Sequence, residues 1–90
     1  MTFTITDTVF VVAWDFDTGG GFDWYFKSID ADAAFEIEKQ NADRFKDHDW
    51  TAYKFKYQSL ETDCDNITRE IDRQLLELCG SATDVYGYRK

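Results

Sequence analysis

Residues 14–25, Trp14-Asp15-Phe16-Asp17-Thr18-Gly19-Gly20-Gly21-Phe22-Asp23-Trp24-Tyr25, read as the tip of a β-hairpin whose register decides the rest of the fold. The stretch is nearly a mirror of itself. Pairing Phe16 with Phe22 also pairs Trp14 with Trp24 and Val12 with Phe26, which makes one face wholly apolar. The other face then sets Asp15 directly against Asp23. Three glycines supply positive-φ positions for a loop of about five residues between the strands.

Outward from the tip, the first strand runs from Thr2 to Phe16, alternating at Phe3 and Ile5 and then continuously apolar from Val9 to Trp14, the pattern of a central strand. Phe22 to Ser28 is its partner. Asp30 is a candidate N-cap for a helix over residues 31–46, with Ala34, Phe35, Ile37, Ala42 and Phe45 on one broad face. Asp32, Glu36, Asp43 and Asp47 form the opposite ridge, with Lys39 as its cation, and Glu38, nearer the apolar face, is expected at the helix margin with its head in solvent, the alternative being a hydrogen-bonded carboxylate. After the polar turn Asp47-His48-Asp49, a third strand from Trp50 to Gln58 turns Thr51, Tyr53, Phe55 and Tyr57 one way and Lys54 and Lys56 the other. A second helix over residues 63–79 carries Cys64, Ile67, Ile71, Leu75 and Leu78 at helical spacing and stops at Gly80; Leu76 is the single apolar residue on its outer face. The tail Val85-Tyr86-Gly87-Tyr88 is too aromatic for a solvated end and is expected to fold back over Leu76 and Cys79.

The expected fold is α+β, a single compact domain over residues 1–90 in the order β-β-α-β-α. A right-handed crossover puts the third strand beyond the first, giving a three-stranded sheet in the order 3-1-2. Both helices are expected on one face, a two-layer sandwich. The other face would lie open, carrying Val11, Ala13, Asp15, Asp23, Tyr25, Lys27, Lys54 and Lys56, and could associate with a second copy of the chain.

Composition narrows the function classes. At 43% apolar and 18% aromatic residues the chain can bury enough area to fold alone. Eighteen acids against ten bases, a net charge of −8, disfavour direct binding to duplex nucleic acid or anionic membrane and suit a basic protein partner. Cys64 and Cys79 stand fifteen residues apart, about four helical turns, and read as reduced thiols. With no signal peptide, spanning apolar run or lipidation motif, a cytoplasmic location is expected, where Asn66-Ile67-Thr68 is no glycosylation site.

Catalytic chemistry finds little footing. The lone histidine, His48, sits in a charged turn without a neighbouring nucleophile, and neither cysteine has zinc-ligand spacing. The glycines join two strands and precede Phe22-Asp23, unlike a phosphate loop. Asp15-x-Asp17-x-Gly19 starts like a calcium loop but lacks the third ligand and the closing glutamate, since Phe26 stands there. No enzyme, metal or cofactor is therefore expected. The paired acids of the hairpin need a cation from Lys54 or Lys56, a divalent ion, or a partner's Arg or Lys side chains. The helix ridge has the spacing to imitate a run of phosphates toward a nucleic-acid-binding protein, or to be a solvated face.

The triglycine hairpin followed by the helix start Asp30-Ala31-Asp32-Ala33-Ala34-Phe35, within residues 9–42, looks like small phage or mobile-element proteins. The chain as a whole resembles anti-CRISPR proteins of the group directed at type I-F surveillance complexes. That resemblance implies a non-enzymatic inhibitor that binds a host nucleoprotein complex in the bacterial cytoplasm and blocks target DNA or an effector from engaging. The group shares no common motif, so no residue carries over. The candidate contacts from the residues themselves are Asp15, Asp17, Asp23 and Tyr25 on the hairpin and Asp32, Glu36, Asp43 and Asp47 on the helix. The alternative is a homodimeric phage accessory or structural protein joined through the open sheet face.

Overall fold

The computed structural model describes residues 4–5, 8–58 and 62–87. Its elements are β1 (Thr4–Ile5), β2 (Thr8–Phe16), β3 (Gly19–Tyr25), α1 (Ser28–Arg44), a 3-10 turn (Lys46–His48), β4 (Thr51–Gln58), β5 (Thr62–Asp63), α2 (Cys64–Gly80) and β6 (Asp84–Gly87). Thr2, Phe3 and Tyr88, which the sequence places in the first strand and the tail, lie outside the described residues.

The architecture is α+β, with a four-stranded antiparallel sheet in the order β3-β2-β4-β6 and a small β1-β5 pairing beside it. The expected order of three strands is present, with β2 between β3 and β4. The tail adds the fourth: residues 84–87 pair along β4, Lys54 opposite Asp84 and Thr51 opposite Gly87. It therefore lies on the sheet edge and leaves Leu76 95% exposed, contrary to the expected fold-back.

The hairpin register differs from the sequence expectation by three residues. Phe16 pairs with Gly19, Trp14 with Gly21 and Ala13 with Phe22, so the turn is the two residues Asp17 and Thr18. Side-chain bulk accounts for the choice. A Cβ on Gly21 would lie 2.8 Å from the Trp14 ring, too close to be tolerated, whereas one on Gly19 would make ordinary contact with the Phe16 ring at 3.6 Å. Each large ring thus lies over a glycine of the edge strand, where the symmetric pairing would set ring against ring. The glycines provide close approach, not the positive φ of a loop: among the described residues only Asp49 and Gly87 have positive φ.

An odd slip exchanges the two faces of β3 relative to β2. One face gathers Val9, Val11, Ala13, Tyr53, Phe55 and Tyr57 with Phe22 and Trp24 beneath Ile67, Ile71, Leu75 and Leu78 of α2. The opposite face gathers Val12 and Ala52 with Phe10 and Tyr25 beneath Ala31, Ala34 and Phe35 of α1. The helices therefore cover opposite faces in three layers, and the single-faced, two-layer arrangement is corrected. Val9, Val11, Val12 and Ala13 are all essentially inaccessible, as a strand covered on both sides requires. No wholly open sheet face remains for a homodimer, because Val11 and Ala13 lie under α2.

Helix boundaries also move. The first helix starts at Ser28, before Asp30, with Lys27 at the cap position and no side-chain cap. Ile37 and Phe45, placed on its core face by periodicity, are 57% and 37% exposed. The second helix begins as expected, Asp63 accepting the Asn66 backbone N–H at 2.9 Å. Among the described residues no helix is long and apolar enough to cross a membrane.

Candidate functional site

The ridge of α1 is largely engaged from within. Lys54, on the α1 face of β4, donates to Asp32 at 2.7 Å and also reaches Asp84 of β6 at 3.1 Å. Asp43 accepts the Tyr86 hydroxyl at 2.6 Å, and Glu36 pairs with Lys39 one turn away at 2.9 Å. Two ridge acids are thus clamps for the tail strand. The bond to Asp32, reinforced by Asp84 and opposed by partial burial, raises the Lys54 ammonium above its ordinary range. Asp47 stands exposed in the 3-10 turn.

The hairpin acids separate. Asp15 faces Gly20 and Asp23 faces Val12, so the two carboxylates lie on opposite sides of the sheet instead of opposite each other. Asp23 is exposed on the α1 side with Tyr25, whose phenol is raised by burial first and then by Asp23, Glu38 and Asp30. Asp17 meets the 3-10 turn: its N–H donates to the His48 carbonyl at 2.9 Å and its carboxylate lies 3.4 Å from His48 Nδ1. His48 is thereby a buttress of the hairpin tip. Lys54 answers Asp32 and Asp84, not the hairpin acids for which the sequence offered it.

Beside the tip, Phe16 and Trp50 stack at 4.5 Å with nearly parallel planes, and Phe45 leans on Trp50 at 5.6 Å. The Trp50 indole donates to Glu38 at 3.3 Å and Asn41 donates to it at 3.2 Å. Glu38 is therefore half-buried and hydrogen-bonded, not solvated at the margin. Burial raises its carboxyl above the usual range, against the lowering effect of the two bonds.

On the α2 side, a groove of about 1000 Å³ opens between the C-terminal half of α2 and the tip end of the sheet. Its floor begins with one cross-strand row, Gly20, Asp15, Thr51 and Gly87. Behind that row come Phe22, Ala13, Tyr53 and Val85, with Leu75, Leu76, Asp72 and Thr68 of α2 as the wall. Asp15 is half-buried there and accepts the Tyr53 hydroxyl at 3.3 Å. Sequence reasoning singled out Asp15, the glycines and the lone outer Leu76 separately; only the register and the return of the tail strand bring them together. Val85 and Gly87 belong to the tail that the sequence directs toward Leu76 and Cys79, and they line the groove with both; Asp72 and Thr68 were missed, and nothing in their spacing marks them.

Of the eight candidates, Asp15 lies in the groove, Asp17 and Asp47 at the tip, and Asp23 with Tyr25 on the α1 side of the edge strand. Comparison with known proteins found no family model, no characterised protein and no solved structure that matches the chain.

Proposed function

We propose that this protein is a non-enzymatic inhibitor that binds a basic, nucleic-acid-handling protein complex and, in keeping with the resemblance to anti-CRISPR proteins, keeps a CRISPR surveillance complex from engaging target DNA or an effector. The observation that carries the reading is an unbalanced surface: eighteen acids face ten bases, and Lys39 and Lys54 are already held in internal ion pairs. The exposed carboxylates of Asp23 and Asp47 add to a field that attracts a cationic surface and repels phosphates.

The test is capture of a purified type I-F surveillance complex by the immobilised chain at low salt, with a DNA-binding assay on the captured complex. The reading expects capture, reduced DNA binding and a steep loss of capture with added salt. Charge reversal at Asp23 and Asp47, which avoids the structural clamps at Asp32 and Asp43, is expected to weaken capture. Failure to retain any subunit at low salt overturns the reading.

A further inference from the structure

The groove under α2 has a chemistry of its own. Its charged lining residues among those described are Asp15 on the floor and Asp72 on the wall, both acidic, and the rest of the lining is small, apolar or hydroxyl-bearing. Glycines stand at both ends of the Gly20-Asp15-Thr51-Gly87 row, so the row carries side chains only at Asp15 and Thr51 and is low at both edges of the sheet. Along the rim, Leu76 is 95% exposed and Val85 57% exposed, apolar surface that an enclosed small-molecule site would bury.

Resting on the reading of a basic partner, we propose that this groove receives an extended segment of that partner, with an Arg or Lys side chain on Asp15 and apolar neighbours against Leu75, Leu76 and Val85. The long stem of Arg or Lys suits an apolar wall that ends in an acid. The volume accommodates several residues, not one side chain. Charge selects the occupant: a second copy of a chain carrying −8 meets like charge at Asp15 and Asp72, whereas a basic segment meets opposite charge.

The test is an amide-resolved NMR titration of the full chain with a blocked five-residue peptide alternating leucine and arginine, and with its counterpart carrying neutral citrulline in place of arginine. The arginine peptide is expected to shift the signals of Gly19, Gly20, Gly21, Thr51 and Leu76. Citrulline, or Asp15→Asn in the protein, is expected to weaken binding about tenfold, the scale of one charge-assisted contact. Leu76→Ser, at a site too exposed to affect folding, is expected to weaken it as well.

Each contrary result has a distinct meaning. Shifts centred on Asp17, Asp23 or Asp47 with a silent groove, or undiminished affinity in both variants, overturn the groove and leave the basic partner standing. Equal binding of the citrulline peptide overturns the role of Asp15. Groove shifts that grow with protein concentration in the absence of peptide assign the groove to a second copy and overturn the proposal. No response to the arginine peptide anywhere on the chain overturns the groove, while the reading of a basic partner stands or falls separately with capture of the complex.

Discussion

Glu38 and Gly87 show how single positions carry strain or charge for the surrounding fold. The Glu38 carboxyl is raised by burial, so between its ordinary value near 4.5 and its higher folded value the native state holds a proton that the unfolded state has released. Stability attributable to this group therefore falls as pH rises through that window. Glu38→Gln is expected to flatten the slope, checked by denaturant unfolding at several pH values; an unchanged slope would remove Glu38 as its source. Gly87 has φ of 143°, and a Cβ there would press into the Trp50 carbonyl. Gly87→Ala is expected to cost about 1–3 kcal/mol, seen as a lower midpoint of thermal unfolding, whereas Gly80→Ala, with open space around it, should cost nothing.

Among the elements, β6 depends most visibly on side chains for its place. Lys54 joins it to α1 through Asp84 and Asp32, and Tyr86 ties it to Asp43. Lys54→Met leaves those two acids without their shared cation. Hydrogen exchange is then expected to quicken in β6 and along the β4 edge while the β2-β3 ladder keeps its protection; uniform loss across the sheet would refute the clamp. The ammonium is raised by its partners, so their contribution is complete below about pH 10.5, its ordinary value, and disappears as pH climbs through the raised one.

Much of this element level was legible beforehand. Period-two alternation from Thr51 to Tyr57 and the Ile67-Ile71-Leu75-Leu78 series sit where the pattern puts them, because both are one-sided. The hairpin was legible but its register was not, since Gly19-Gly20-Gly21 satisfies a loop and a flat edge strand equally well, and the bulk of Trp14 over Gly21 favours the strand. The unbroken run from Val9 to Trp14 already signalled cover on both faces. An open face beside it was the inconsistent expectation. Of the groove only the approach of the tail to Leu76 and Cys79 could be read, because its floor joins segments about sixty residues apart in the chain, such as Gly20 and Val85.

For the whole molecule, the excess of acid is a cost to folding as well as a means of recognition. Self-repulsion at −8 opposes compaction, and raising salt from about 10 mM to about 150 mM shortens the screening length from about 30 Å to about 8 Å. The thermal midpoint is expected to rise over that interval while affinity for a cationic partner falls. A midpoint that drops instead would show that internal pairs such as Lys54 with Asp32 outweigh net repulsion. The position of Gly87 also has a practical consequence. It lines the groove, so an affinity handle or dye attached on β6 beside it would sit at the mouth of the cleft. Immobilisation through that strand would mask the surface under test, and attachment through an exposed position on the opposite layer, such as Gln40 of α1, would leave it accessible.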